Sequence, residues 1–207
     1  SSMSRLTFNE IQLLKPPELQ ERKKESLDWF RENLKTIKSY SKPDKVLNQS
    51  GQDIIPTEMI VGEMYMYMYD AKHKETLPYY DRFPIIFMLE RYKTGFLGLN
   101  LHYLHPKLRV GLLENLYAYS NDFDNESIAD DSVRLGLRYQ TLATASNLRV
   151  ARPCVKQYLF THLDSKIVKV PPSQWDFVPL LPLSKFTSAT GSINTNTVYR
   201  NSRETII

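Results

Sequence analysis

Apolar side chains recur at near-helical spacing between Glu18 and Tyr40. Leu19, Leu27, Trp29, Phe30, Leu34 and Ile37 carry the pattern, while Arg22, Lys23, Lys24, Glu25 and Glu32 fill the other face. That period predicts an amphipathic helix. Pro17 stands at its first turn, followed by Glu18 and Glu21, and Lys35 and Lys38 lie near its end, the charge order a helix dipole favours. Residues 8–15 are short and mixed, and Pro16-Pro17 separates them from the helix. Ser1 and Ser2 ahead of Met3 read as residues left by expression and carry no fold information. Residues 41–56 read as a loop rich in Ser, Asn, Gly, Pro and Asp.

The period then changes from 3.6 to 2. Met64-Tyr65-Met66-Tyr67-Met68-Tyr69 places Met on one side and Tyr on the other, the pattern of a strand with bulky groups on both faces. Such a strand is covered on both sides, or covered on one and ready to bind on the other. Asp70 to Thr76 is polar and turn-like. Phe83 to Arg91, entered through Pro84, and Gly95 to Leu101 predict two further strands, so 60–101 forms a small antiparallel meander. Strands from elsewhere would complete a five-stranded SH3-like barrel.

Beyond the meander, Pro106 opens a helix through Tyr119 with Leu108, Leu112, Leu113 and Leu116 as its stripe. Asp131 or Ser132 caps another, running to about Thr144. A further helix is expected from Pro153 to Leu163, presenting Val155, Tyr158, Leu159 and His162. Ile167 to Val170, bounded by Pro171-Pro172, reads as an edge strand. Trp175 to Leu183 contains Pro179 and Pro182 and should pack as an extended segment. Ser184 to Ile207 is poor in apolar residues and is expected to order on contact with a partner or with its own domain. The fold class expected is therefore α+β: a small, strongly curved antiparallel (SH3-like) sheet flanked by about four helices, with an extended C-terminal tail. Its organisation is 3–56 as N-terminal helix and linker, 57–183 as core domain and 184–207 as tail.

Composition narrows the function classes. A chain of 207 residues is long enough for one substantial core, and 42% hydrophobic with 24% charged residues is a globular balance. One cysteine, Cys154, cannot form an internal disulfide and reads as a small buried group rather than a nucleophile. No stretch reaches the roughly 18 apolar residues a bilayer span requires, and none reads as a secretory leader. Charge is uneven. Residues 1–50 carry ten Lys/Arg and seven Asp/Glu, residues 51–133 seven and thirteen, and residues 134–207 ten and three. A basic end behind an acidic middle suits a nucleic-acid-facing surface or a charge-complementary self-contact. A solvated acidic loop at 122–131 would account for most of the middle's charge just as well.

Among chemistry-bearing residues the basic set of the C-terminal third stands out: Arg134, Arg138, Arg149, Arg152, Lys156, Lys166 and Lys169. If these converge with Lys185, Arg200 and Arg203 they neutralise several phosphates. Tyr139, Tyr158 and Tyr199 are interleaved and offer rings for exposed bases. The same cations would also serve as a solubilising helix face. Asp53, Asp70 and Lys72 have the residue types of a metal-dependent nuclease, which needs carboxylates and a lysine around divalent metal; Lys72-His73-Lys74 reads equally as a solvated turn. His102 and His105 are three apart but straddle a strand end and Pro106, and read as polar residues at a strand-to-helix turn rather than a metal site. No Gly-rich phosphate loop is present, and nothing calls for a cofactor or a metal.

Two stretches, Leu77-Pro78-Tyr79-Tyr80-Asp81-Arg82-Phe83-Pro84 and Gly95-Phe96-Leu97-Gly98-Leu99-Asn100-Leu101-His102-Tyr103-Leu104, together with the Met64–Asp70 strand, resemble proteins of large contractile-tailed bacteriophages described as DNA end protectors. The similarity covers about residues 60–104 well and extends more loosely to Leu27-Asp28-Trp29-Phe30 and to 153–175. It brings no catalytic motif. It implies a virion or DNA-packaging accessory protein that binds and protects the ends of linear genomic DNA at head completion, without catalysis. The implied partners are a linear double-stranded DNA end and phage head or neck proteins, with no membrane and with a homo-oligomer as an option. The location would be the host cytoplasm during assembly and then the virion. A structural neck or baseplate component acting only through protein contacts, and a metal-dependent nuclease, stand as the alternatives.

Overall fold

Which segments become strands is decided by pairing as much as by local pattern. The computed structural model describes residues 7–38, 53–54, 56–72, 75, 77, 80–119, 131–181, 186–188 and 191–193. Two helices lead: α1 (Phe8–Leu13), whose Thr7 hydroxyl caps the Glu10 N–H, and α2 (Glu18–Lys38). A sheet of six antiparallel strands follows: β1 (Asp53–Ile54), β2 (Met64–Met66), β3 (Ile85–Arg91), β4 (Gly95–Asn100), β5 (Val155–Leu159) and β6 (Ile167–Lys169). Helices α3 (Pro106–Tyr117) and α4 (Asp131–Asn147) lie between β4 and β5 in the chain. In space the strand order is β1-β6-β2-β3-β4-β5.

The alternation of β2 works as its sequence suggests. Met64 and Met66 join a large core with Ile85, Phe87 and Leu99, covered by Phe30 and Ile37 of α2, by Leu112, Leu113 and Leu116 of α3 but not the exposed Leu108, by Leu142 of α4 and by Trp175. Tyr65 and Tyr67 point into a second cluster with Ile86, Met88, Phe96, Tyr158 and Ile167. That second face is covered by Met59, Tyr69 and Leu163, which come from connecting segments rather than α-helices. Both faces of β2 are buried.

Four expectations are corrected. The sheet is open and neither closed nor strongly curled: β1 and β5 are its edges and no pairing joins them, so the SH3-like barrel is not formed. Residues 153–163 are not a helix but β5 flanked by 3₁₀ turns at Arg152–Cys154 and Phe160–His162. The i, i+3, i+4 spacing of Val155, Tyr158 and Leu159 fits either structure over so short a run, and the partner strand decides. β4 offers glycines at the contact. A Cβ on Gly95 would lie 1.9 Å from the Tyr158 carbonyl oxygen, so only glycine lets β5 approach this closely. Third, β6 is not an edge strand; it lies between β1 and β2, which makes Val168 a partner of both Asp53 and Met66. Fourth, Pro172–Phe177 forms a 3₁₀ helix where the segment from Trp175 was expected to be extended.

The helices at Pro106 and Asp131 lie where their patterns place them. Residues 8–15, whose pattern is short and mixed, contain α1, which packs Phe8 and Ile11 into the core. Arg22, read as part of the outer face of α2, is buried. Of the C-terminal tail, the described part is a hairpin of β7 (Phe186–Ser188) and β8 (Gly191–Ile193). The remaining tail residues and the acidic run up to Asp130 lie outside the described residues.

Candidate nucleic-acid interface

The end of β4 carries a polar network inside the sheet's second face. Asp81, in the turn that leads into β3, is its centre. Its Oδ2 accepts from His102 Nδ1 at 2.6 Å and from Asn100 Nδ2 at 3.1 Å, while Oδ1 accepts from the Phe83 N–H at 2.9 Å. Asn100 also donates to the Tyr158 hydroxyl at 3.0 Å and accepts from the His102 N–H at 2.9 Å. Burial pushes the Asp81 carboxyl upward, but the His102 charge and the three hydrogen bonds outweigh it and leave it below the ordinary carboxylate value. The two stretches that carried the sequence resemblance are thus tied to each other by their polar residues. Neither stretch taken alone reveals this contact, because the partners are 19 and 21 positions apart.

Beside this network, between β5 and the turn after β2, lies a cleft of about 400 Å³. Lys72, Tyr80, Asp81, Tyr103, Lys156 and Tyr158 are among its walls. Lys156 and Tyr158 project to the same side of β5, as period two requires. The Lys156 ammonium sits 4.3 Å from the centre of the Tyr103 ring, a cation–π contact. Burial disfavours its charged form and lowers its pKa from the ordinary lysine value. No described carboxylate pairs with it. Tyr69, buried in the wall, accepts a hydrogen bond from the Leu159 N–H at 2.8 Å, which leaves its own hydroxyl hydrogen to donate.

The other cations of the basic set do not gather at this cleft. Arg149 and Arg152 are exposed in the turn between α4 and β5, and Arg152 lines a shallow groove with Tyr139. Lys169 is half-buried and pairs with Glu63 at 3.6 Å. Lys166 is buried. Arg138 is 1% exposed: it donates to the Gly62 and Tyr119 carbonyls, pairs with Glu63 at 3.2 Å and lies over the Trp175 ring. Arg134 lies in the first turn of α4, and its side chain falls outside the described residues, as do Lys185, Arg200 and Arg203. Tyr158 is buried in an aromatic cluster with Tyr67, Tyr69 and Phe96.

Arg138 is one of three arginines turned inward around the 172–179 segment. Arg22 bonds the Asp176 carboxylate at 2.8 Å and its carbonyl at 3.2 Å. Arg109 donates to the carbonyls of Val178, Pro179 and Leu104. The prolines there leave carbonyls without ladder partners, and the guanidinium fork satisfies several at once.

The nuclease set is spread out. Asp53 pairs through Val168 with the level of Met66, so it lies two strands across and four residues down from Asp70. With about 4.8 Å per strand and about 3.3 Å per residue, their backbones are too far apart to share a metal ion. Among the described residues no three His, Cys, Asp or Glu side chains are grouped to hold a metal. His105 caps the Lys107 N–H at the start of α3. Cys154 is buried, and burial pushes its thiol up to about 11.

Fold and site together define an open antiparallel sheet backed by helices on one face, with Lys72, Lys156 and a tyrosine cluster at one edge of the other. A family model described as phage T4 terminal DNA protecting protein matches residues 16–202, and the chain belongs to this family. It is a phage protein of the class that protects DNA ends, as the stretches around Asp81 and Asn100 suggest. No curated protein and no solved structure matches it.

Proposed function

We propose that the protein binds the terminus of linear double-stranded phage DNA during head completion and shields it by occupying the end, without cutting it. Membership of the terminal DNA protecting family carries this reading. The placement of cations supports it: Arg149 and Arg152 are exposed, and Lys72 and Lys156 open into one cleft at the same end of the sheet as β5. Phosphate neutralisation by these groups supplies affinity, and the bulk of the domain over the last base pairs denies access to exonucleases. The protein would meet its DNA in the host cytoplasm during assembly and travel with it into the virion. The test is binding to a short blunt duplex competed with linear and then closed circular DNA at two salt concentrations. Preference for the linear competitor, with affinity that falls as salt rises, supports the reading; no binding at low salt overturns it.

A second reading, a neck or head component held by protein contacts, draws on exposed Leu137, Tyr139, Leu148 and Val150 around the end of α4. Of these, Tyr139 shares a groove with Arg152, and Leu148 and Val150 adjoin Arg149 in the chain, so apolar and basic groups stand together there. Docking of a head or neck protein, or of a second copy, would be seen as a shift in sedimentation that DNA does not abolish.

A further inference from the structure

The proposed function needs a way to tell an end from the interior of a duplex, and phosphate chemistry provides one. An internal phosphodiester carries one negative charge, whereas a terminal phosphomonoester carries about −1.5 to −2 and three acceptor oxygens. We propose that the cleft between β5 and the turn after β2 is a subsite for the terminal phosphomonoester of a DNA strand, with Lys156 and Lys72 as its cations. The inference rests on the DNA-end reading and names the group that this cleft would take.

Several observations converge on it. The cleft, at about 400 Å³, has room for a phosphate and part of its nucleotide but not for a duplex. Lys156 is placed by two contacts: its backbone pairs opposite Gly98 of β4, and its ammonium rests on the Tyr103 ring rather than on a described carboxylate. A lysine stripped of much of its water and lacking an anion gains most from a ligand that brings a concentrated negative charge. Lys72, exposed on the facing turn, adds a second cation. The Tyr69 hydroxyl retains its hydrogen for a phosphate oxygen. The one carboxylate among the lining residues, Asp81, is already held by His102, Asn100 and the Phe83 N–H. Its charge is directed into the sheet, and these donors temper its repulsion of an incoming anion. Tyr80 and Leu77 supply apolar wall on which the first base or sugar can rest.

The test compares one blunt duplex with 5′-phosphate, 3′-phosphate or hydroxyl ends at fixed salt, using the wild type, Lys156→Met and Lys72→Met. Methionine keeps the length and apolar character of the lysine stem. The wild type should bind a phosphorylated end about tenfold more tightly than the hydroxyl end, the scale of one charge-assisted hydrogen bond. Which phosphorylated end is favoured tells which strand terminus enters. Both variants should lose most of that preference, and lose less of their affinity for the hydroxyl-ended duplex than for the phosphorylated one. If Lys156→Met fails to fold, as judged by its melting transition, the exposed Lys72→Met decides. Equal wild-type affinity for all three ends overturns this inference and leaves the DNA-end reading standing. A preference that survives in a folded variant also overturns it. Absence of binding to every end overturns the DNA-end reading itself.

Discussion

Asp81 shows how one side chain can organise the end of a sheet. Its carboxylate gathers a ring nitrogen, a side-chain amide and a backbone N–H, and the Tyr158 hydroxyl hangs on the same amide. Its pKa is lowered on folding, so its contribution to stability is present above the unfolded value of about 4 and is lost as pH falls through the folded value. Asp81→Asn should cost about 1–3 kcal/mol at pH 7, the penalty for weakening buried hydrogen bonds to a charged group. The difference from wild type should narrow in urea titrations carried below pH 4; an unchanged gap there would mean that the carboxylate charge contributes nothing. Arg138 serves at the same scale in the opposite way. It has the residue type of a phosphate contact, yet it is buried, with its guanidinium on the Gly62 and Tyr119 carbonyls and the Glu63 carboxylate. Arg138→Met should cost about 3–5 kcal/mol by leaving Glu63 buried with a single weak partner. Melting curves would register that loss, and the salt dependence of DNA binding measured on the folded fraction should not change.

At the scale of elements, the β4–β5 pairing is where local pattern and fold diverge most. Gly95 has no room for even one methyl group against the Tyr158 backbone. Gly95→Ala should therefore destabilise by about 1–3 kcal/mol or more through overpacking. Because the clash is with backbone, β5 has to shift, and the Lys156 cleft shifts with it. A wild-type melting temperature for this variant would contradict the pairing register. The same place explains what could be read from the sequence. The α2, α3 and α4 patterns and the two-sided Met/Tyr strand were legible, since amphipathic period and alternation are local. The β5 strand was not, because Val155, Tyr158 and Leu159 satisfy a helical spacing and only pairing with a distant strand, close at Gly95, decides against it. Nor was β6 legible as an interior strand, since the two-residue β1 that flanks it has too little pattern of its own. Of the basic set, sequence could name candidates by charge but could not separate Arg149 and Arg152 from Arg138 and Lys166. Burial separates them, and burial depends on carbonyls and carboxylates far away in the chain.

For the whole molecule, the two helix-free features of the sheet's second face, its tyrosine cluster and its cleft, lie opposite a thick helical layer. Arg149 and Arg152 stand apart from that cleft, in the turn after α4, where Arg152 shares a groove with α4 residues, and they would add separate phosphate contacts. Replacing both with Ala should reduce the slope of log affinity against log salt by about two, given roughly 0.9 per phosphate contact. Titrations at a series of salt concentrations would measure it, and an unchanged slope would remove these residues from the interface. The strand order has a further consequence, in the timing of synthesis. β6 fills the place between β1 and β2, although about half the chain separates it from them. Arg22 of α2 finds its partner in Asp176, 154 positions later. The nascent chain must therefore emerge almost to the end of its described core before the sheet's middle can close. Until then β2 offers an unpaired side to the cell, so a ribosome that stalls ahead of Ile167 releases a fragment with an open hydrophobic strand rather than a smaller folded protein.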